Sequence, residues 1–281
     1  MCYSVLPTWY SPLGTNPNAI LFAVTLSVVV ITYNEEANIG RVLESVRLAD
    51  EHIVLDCGST DRTLEIAHAF GARTFTEKWK GYAAQKNSAI DKASGDWVLS
   101  LDADEAAEPE LMAEIRHVLG HNPSVNGYYI PRKNYFLGRW IRHGGFYPDR
   151  KLRLFRRGLG RFGERPVHEV VQVDGPTATF NHALVHNAYP TLEGYIQHMN
   201  RYSSLGAEIV AAEGSGGFSL LNIVINPVAT FLYNYFFRLG LLDGREGLLL
   251  HLYHSAYVSW KYAKAWELAR ARQRETRQHR T

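Results

Sequence analysis

The sequence predicts an α/β protein, in which flanking helices cover a mostly parallel, Rossmann-like sheet and a helical region follows. In the first half, short apolar runs rich in β-branched residues alternate with segments of helical period, as in a parallel sheet. After residue 190 the helical period predominates. The 281 residues, 46% of them hydrophobic and 21% charged, suffice for one large domain or for one domain plus an appendage.

We divide the chain into a Pro-, Tyr- and Ser-rich preamble (1–25), an α/β domain (26–190) and a helical C-terminal region (191–281). The net charge of +2 gives no general affinity for polyanions, so no nucleic-acid partner is expected. Two cysteines form no disulfide framework, and the N-terminus lacks the features of a signal peptide. These observations favour a reducing, cytoplasmic compartment.

Four strands are predicted in the first hundred residues, at 26–31, 52–56, 73–75 and 97–101. Helices follow each of the first three strands, and Asn34 and Asp61 are suitable caps for the first two helices. Residues 127–136 and 151–155 alternate like half-exposed strands. The order of elements calls for right-handed connections between parallel strands.

Carboxylates follow the fourth strand directly, in Asp102-Ala-Asp-Glu105. Because neighbouring carboxylates repel each other unless a positive charge lies between them, the pattern indicates a divalent metal and, with it, a phosphorylated ligand. The alternative is a helix N-terminus, since acidic residues favour the first turn and Pro109 follows closely.

Three other types of site are disfavoured. Residues 158–163 match the glycine spacing of a dinucleotide fingerprint, but no helix pattern follows them, and no Walker lysine motif is present. An aspartyl phosphatase would place Thr or Val where Ala106 stands, and would have its Asp-x-Asp after the first strand.

Four motifs together resemble the family 2 glycosyltransferases of the GT-A fold, in that family's order and at its spacing. They are Val28-Val-Val-Ile-Thr-Tyr-Asn-Glu-Glu36, Asp56-Cys-Gly-Ser-Thr-Asp61, Gln85-Lys-Asn87 and Leu101-Asp-Ala-Asp104. Later segments are similar to the bacterial subgroup that adds a sugar to the lipopolysaccharide core: Arg165-Pro-Val-His-Glu169, His186, Asn200-Arg-Tyr202 and Gly240-Leu-Leu-Asp-Gly244.

The resemblance implies an inverting, metal-dependent transferase that uses a nucleotide sugar, with UDP as the expected nucleotide. The implied acceptor is a cell-envelope glycan or a lipid-linked molecule such as lipopolysaccharide core. Two alternatives stay open: transfer to a protein or soluble acceptor, and a non-catalytic membrane-surface protein on a decayed transferase fold.

The resemblance also assigns residues to the donor. Those expected to bind the nucleotide are Thr32, Asn34, Glu35, Asp56, Ser59, Asp61, Lys86, Asp102 and Ala103. Asp102 is expected near the ribose, and Lys86 near the diphosphate or the base.

Metal and acceptor residues are assigned in the same way. Asp104 and His186 are the expected ligands of Mn²⁺ or Mg²⁺, and imidazole favours Mn²⁺. Glu169 is the expected general base, with Asp149 in reserve. The basic residues expected to meet donor phosphates or an anionic acceptor are Arg150, Lys151 and Arg153.

Residues 218–242 are apolar and aromatic, and long enough to span a bilayer, but their asparagines and proline make a lipid-facing span costly. We therefore expect an amphipathic or re-entrant element, with the protein peripheral on the cytoplasmic face of the inner membrane. The alternative is an ordinary helical subdomain or a dimer interface, and the oligomeric state is left open.

Overall fold

The computed structural model describes residues 24–163, 170–214 and 216–278. The predicted preamble (1–25) lies almost wholly outside this range. Thirteen strands and seven α-helices occur in the described residues, in the order β1 (Leu26–Thr32), α1 (Ile39–Ser45), β2 (Glu51–Asp56), α2 (Thr63–Ala69), β3 (Arg73–Thr76), α3 (Tyr82–Asp91), β4 (Trp97–Asp102), β5 (Glu105–Ala107), α4 (Pro109–Gly120), β6 (Gly127–Ile130), β7 (Arg132–Phe136), β8 (Arg139–Trp140), β9 (Lys151–Arg156), β10 (Gly160–Phe162), β11 (Val171–Val173), β12 (Thr177–Thr179), β13 (Leu184–Tyr189), α5 (Leu192–Ala212), α6 (Asn226–Leu232) and α7 (Gly244–Gln278).

A seven-stranded sheet in the order β12-β6-β9-β4-β1-β2-β3 forms the centre of the domain. Strands β1, β2, β3 and β4 are parallel neighbours, and β12 is parallel to β6. Only β9 runs antiparallel to its neighbours β4 and β6 within this sheet of the described chain. The predicted α/β fold, with a mostly parallel sheet and a helical C-terminal region, is confirmed.

Both faces of the sheet are buried, as the continuous apolar runs predict. Val28 and Val30 of β1 point into the layer under α1 and α4, whereas Val29 between them points into the layer under α3. All three side chains are at most 1% exposed. The alternation follows from the two-residue period of a strand, so one short sequence supplies both cores.

A second sheet of four strands, in the order β5-β13-β7-β8, lies next to the first. The single strand predicted over residues 127–136 is wrong, because it divides at Pro131 into β6 of the large sheet and β7 of the small one. Proline has no N–H to donate to a strand ladder, which suits it to the point where the chain changes sheets. This change of sheet brings β7 beside β13.

In the described chain the last strand ends at Tyr189, and most of the described residues from Leu192 onward are helical. Helices α5 and α7 pack along each other. Between them, residues 221–243 form short helical pieces: a π-helical turn, α6, a second π-helical turn and a 3₁₀ turn. Among the described residues, no helix is both long and apolar enough to cross a membrane.

Candidate active site

The carboxyl ends of β1, β2 and β4 meet at one edge of the large sheet. In the parallel register, Thr32 lies opposite Asp56, and Ile31 lies opposite Asp102. Polar residues that are 24 or more positions apart in the chain are therefore side by side. In open α/β sheets this edge is where ligands bind.

Asp56 shapes the loop that leaves β2. Its side chain is fully buried and accepts hydrogen bonds from the Gly58 amide at 2.7 Å, the Ser59 amide at 2.8 Å and the Ser59 hydroxyl at 2.5 Å. Gly58 has φ of +102°, a value that side chains disfavour. The carboxylate thus holds the turn that presents Ser59 at the edge of the site.

Asn34 joins the loop after β1 to the loop after β2. Its amide N–H donates to the Ser59 hydroxyl at 2.8 Å, and its side-chain oxygen accepts from the Thr60 amide at 2.8 Å. Asn34 has φ of +53°, which asparagine tolerates. The prediction that Asn34 caps α1 is wrong: the N-cap position belongs to Asn38. Its side chain is instead used to join the two loops.

Glu35 and Asp61 lie close together in these loops. The Thr63 hydroxyl accepts from the Glu35 amide at 2.8 Å and lies 2.5 Å from the Asp61 carboxylate. Asp61 precedes the N-cap of α2, which is Arg62, yet it accepts from the Thr63 amide at 3.0 Å. Burial, together with the negative charges of Asp104 and Asp61, raises the pKa of Glu35. This concentration of carboxylates would be relieved by a cation.

Asp102 ends β4 between two cations. Its carboxylate lies 2.7 Å from the Lys86 ammonium and 2.5 Å from the Arg153 guanidinium. Lys86 is 4% exposed, and its ammonium lies 5.1 Å from the ring centroid of Phe162. Burial alone would raise the pKa of Asp102, but the charges of Arg153 and Lys86 outweigh it and lower that pKa. Asp102 is therefore held ionised at the sheet edge.

Glu105 lies at the centre of the charged cluster, and its role was not predicted. Its fully buried carboxylate meets Arg153 at 2.7 Å and Arg132 at 2.9 Å. Arg132 also meets Asp149 at 2.6 Å. Buried ions are tolerated in proteins when each is paired and hydrogen-bonded, as these are. One sequence pattern could have indicated further polar residues of this cluster: Arg132 and Asn134 are two positions apart along β7, which places both side chains on one face.

The basic cluster predicted for phosphate or acceptor is divided in the structure. Arg153 is 5% exposed and paired with Asp102 and Glu105, so the phosphate role predicted for it is not supported. Lys151 is exposed and lies 2.9 Å from Asp149, while Arg150 is exposed in the loop before β9. Burial alone would raise the pKa of Asp149, but the charges and hydrogen bonds of Arg132 and Lys151 outweigh it and lower that pKa to about 2.

Asp104, in the turn between β4 and β5, faces His186 of β13. Strand β13 pairs with both β5 and β7, so His186 lies beside Glu105 on one side and Asn134 on the other. The Asp104 carboxylate lies 3.2 Å from Nε2 of His186. Burial would raise the pKa of Asp104, but the hydrogen bond and charge of His186 lower it.

Asn134 orients the imidazole of His186. Its side-chain oxygen lies 2.7 Å from Nδ1 of His186, and its amide nitrogen donates to the Phe146 carbonyl at 3.2 Å and to Asp149 at 3.3 Å. Because the amide nitrogen is used as a donor, the oxygen must accept, so Nδ1 carries a proton. Nε2 is therefore the nitrogen that meets Asp104, and an Nδ1–H donated to a side-chain oxygen is the arrangement found in metal-ligating histidines.

A carboxylate oxygen and an imidazole nitrogen suit a divalent ion such as Mn²⁺. In the described part of the chain, no cluster of three or more His, Cys, Asp or Glu side chains suited to a metal is found. Asp104 and His186 could therefore supply two donors to such an ion, and a ligand with its own oxygens would have to supply the others.

A cavity of ≈ 270 Å³ opens beside this pair. One part of its wall is polar and includes Arg132, Asn134, Asp149 and His186; the other is apolar and includes Leu250 of α7. The helical region therefore closes one side of the site.

The remaining predicted residues are placed as follows. Thr32 is 3% exposed, and its buried hydroxyl has no hydrogen-bond partner among the described residues. Ala103 is buried in the turn between β4 and β5. Glu169, the predicted base, lies outside the described residues.

The chain matches the protein family described as "Glycosyl transferase family 2" over residues 27–174. This range includes the three strand ends of the site, Lys86, the Asp-x-Asp motif and Asp149. It stops before β13 and the helical region.

Two similar proteins extend over most of the chain. The lipopolysaccharide core biosynthesis glycosyltransferase LpsC of Rhizobium meliloti is 29% identical over 250 residues, covering 86% of this chain and 92% of LpsC. An uncharacterized glycosyltransferase of Rickettsia typhi, RT0209, is 31% identical over 257 residues and 87% of each chain.

Among solved structures, the mannosyltransferase PcManGT of Pyrobaculum calidifontis, in complex with GDP-Man and Mn²⁺, superposes with a TM-score of 0.50. The two sequences are 18% identical, and the match covers 85% of this chain and 86% of that one. At this identity the likeness concerns the fold alone.

Proposed function

The chain belongs to glycosyl transferase family 2, and from this premise we propose that it transfers a sugar from a nucleotide donor to a cell-envelope acceptor. UDP is the proposed nucleotide, and a lipid-linked glycan such as lipopolysaccharide core is the proposed acceptor, as the similarity to LpsC suggests. The observation that carries the proposal is the meeting of three strand ends with the Asp104–His186 pair at one sheet edge.

The loops after β1 and β2 are proposed to hold the base and ribose. Thr32, Asn34, Glu35, Asp56, Ser59 and Asp61 supply hydroxyl, amide and carboxylate groups there. Asp102 lies at the adjacent strand end, where it can accept hydrogen bonds from ribose hydroxyls while it remains paired with Lys86. Lys86 in turn contributes positive charge towards the diphosphate.

Asp104 and His186 are proposed to hold a divalent ion, Mn²⁺ or Mg²⁺, together with the donor diphosphate. Such an ion, when bound, stabilises the negative charge of the leaving nucleotide. The Asp104–His186 hydrogen bond must open, with loss of the proton on Nε2, to admit the ion, and Asn134 holds the imidazole so that Nε2 faces Asp104.

The proposed reaction inverts the anomeric carbon by direct displacement. The acceptor hydroxyl oxygen bonds to that carbon from the face opposite the diphosphate, the bond from carbon to diphosphate oxygen breaks, and the hydroxyl proton passes to a base. Asp149 is a poor base because Arg132 and Lys151 lower its pKa to about 2. We therefore retain Glu169 as the proposed base.

We also propose that the enzyme is peripheral on the cytoplasmic face of the inner membrane, where nucleotide sugars and lipid-linked acceptors meet. A protein or soluble acceptor is the alternative within the same chemistry. A non-catalytic protein on this fold is the alternative from another class, and donor hydrolysis distinguishes it.

The test is release of UDP from UDP-sugars with Mn²⁺ present, comparing the wild type with Asp104→Ala. We expect slow hydrolysis by the wild type and a loss of at least about a thousandfold in the variant, because the diphosphate loses its metal. Asp91→Ala is the matched control, since Asp91 is exposed and pairs with Arg161 on the surface. Unchanged turnover by Asp104→Ala would refute the metal assignment, and no hydrolysis of any nucleotide sugar would favour the non-catalytic alternative.

A further inference from the structure

The helical region exposes much of its apolar surface. Of the twenty-four large hydrophobic side chains that are exposed in the described chain, fifteen fall between Phe218 and Leu252. Phe237 is 79% exposed and Leu220 is 65% exposed. We call the exposed apolar side chains of residues 218–252 the apolar face. Large exposed apolar patches on proteins are commonly sites of interaction.

The apolar face follows a regular helical stripe. Leu221, Ile225, Val228, Leu232 and Phe236 are spaced by three or four residues, and all are 44% exposed or more. At this spacing they lie along one side of the helical segment. An ordinary packed helix would turn such a stripe inward.

The opposite side of the same segment is held against α7. Pro227 is buried, and the Ser259 hydroxyl of α7 donates to the Ile223 carbonyl at 2.7 Å. The segment is therefore already docked on the protein by its other side. The exposed stripe is a second apolar surface, which the described part of the chain leaves uncovered.

The charges around the apolar face are positive. Residues 214–237 contain no Asp, Glu, Lys or Arg. Four exposed arginines gather at the far end: Arg238 and Arg245 follow the stripe, Arg139 donates to the Leu242 carbonyl at 3.4 Å, and Arg142 stacks on Trp140 near the same turn. We call these four residues the arginine rim. Of the acids nearby, Asp243 is 1% exposed, while Glu246 lies 3.8 Å from Arg139.

We propose that the apolar face inserts into the interfacial layer of a bilayer, with the arginine rim on anionic lipid headgroups. Apolar side chains bordered by arginine match the acyl boundary and the phosphate layer of such a surface. A second copy of the chain fits less well, because a twofold contact would bring two arginine rims together with few exposed acids to pair them. This inference rests on the proposed function and specifies its membrane partner.

The apolar face is joined to the active site by short contacts. The buried Asp243 carboxylate accepts from the His143 amide at 2.8 Å, and the Gly144 amide donates to the Arg238 carbonyl at 2.8 Å. Gly145 and Phe146, which follow directly, line the cavity beside His186. A lipid-linked acceptor lying in the same bilayer would therefore reach the cavity from the side on which the protein docks.

The test is co-sedimentation of the full-length protein with phosphatidylcholine vesicles, with and without phosphatidylglycerol. We expect binding that needs phosphatidylglycerol and weakens in high salt. The double variant Leu220→Glu/Phe237→Glu should bind at least about tenfold more weakly, because two apolar side chains no longer insert. Arg245→Glu should weaken binding only to the anionic vesicles. Leu48→Glu is the matched control: Leu48 is 51% exposed on the α/β domain and should bind like the wild type.

The proposal would be overturned if the wild-type protein binds neither kind of vesicle, or if the double variant binds as well as the wild type. Light scattering that shows a wild-type dimer and a monomeric double variant would also overturn it, and would assign the apolar face to a second copy. Donor hydrolysis without vesicles is measured on the same samples. Its absence alongside normal vesicle binding would refute the proposed function and leave the docking surface standing.

Discussion

The sheet edge and the helical region differ in the kind of unfavourable group that each contains. At the sheet edge, charged side chains are buried: Glu105 is fully buried, Arg153 is 5% exposed, and each pairs with ions of opposite sign. In the helical region, apolar side chains are exposed, and Phe237 is the extreme at 79%. Buried charge and exposed apolar surface are both unfavourable without a partner. The first region finds its partners within the chain, whereas the second requires one from outside.

Glu105→Ala, at the sheet edge, should lower the stability of the fold more than any other substitution proposed here for the charged cluster. It leaves the buried guanidinium of Arg153 with only Asp102, and we expect a loss of about 3–5 kcal/mol in the free energy of unfolding. The measurement is urea unfolding followed by circular dichroism. Glu44→Ala is the control, because Glu44 pairs with Arg47 at 3.6 Å on the exposed surface and should cost under about 0.5 kcal/mol. Equal losses in the two variants would contradict the description of the cluster.

Acid should weaken the same cluster through Asp149, whose pKa falls to about 2 in the folded protein. A lowered folded pKa gives stability that is present above the unfolded value of about 3.9 and is lost as pH falls through the folded value. The stability advantage of the wild type over Asp149→Asn should therefore shrink by about 2 kcal/mol between about pH 5 and about pH 2. A difference in unfolding free energy that stays constant over this range would show that Asp149 is not held by its ion pairs.

Asn134→Leu tests whether the sheet edge is organised for a metal. Without the acceptor at Nδ1, the imidazole of His186 is no longer held with Nε2 towards Asp104, so Mn²⁺ affinity measured by calorimetry with UDP present should fall about tenfold or more. Asn181→Leu is the control, because Asn181 bonds to Glu114 on another part of the surface. Unchanged Mn²⁺ affinity in Asn134→Leu would remove Asn134 from this positioning role.

Phe237→Ser should have the smallest effect on stability, and it tests the helical region instead of the sheet edge. Because Phe237 is so exposed, its replacement should change the free energy of unfolding by less than about 0.5 kcal/mol. Phe136→Ala, at a residue 1% exposed, should cost about 3–5 kcal/mol in the same urea experiment. A large loss in Phe237→Ser would mean that the apolar face stabilises the fold itself.

Much of the site could be predicted from sequence because its motifs are local. The polar loops after β1, β2 and β4 each follow an apolar run directly, and parallel strands bring such loops to one edge. His186 was proposed beside Asp104 by resemblance, and the two lie 3.2 Å apart. Asn134 was not predicted, because it is 52 residues from His186 and only the pairing of β7 with β13 makes them neighbours.

Arg153 shows the limit of pattern reasoning most clearly. Its alternation with Lys151 correctly suggested a shared strand face, but Lys151 is exposed while Arg153 is enclosed by Asp102 and Glu105. Periodicity reports the direction of a side chain and not the charges it will meet.

The sequence by itself therefore determined the fold class, the family and the strand ends that carry polar groups, because apolar period and motif spacing are properties of neighbouring residues. Only the tertiary structure decided which carboxylate pairs with which cation, which ring nitrogen of His186 faces Asp104, and which side of residues 218–242 is left exposed. These outcomes depend on strand register and on helix packing between distant segments. In this chain the change of sheet at Pro131 sets the register, and the docking of residues 218–242 on α7 sets the helix packing.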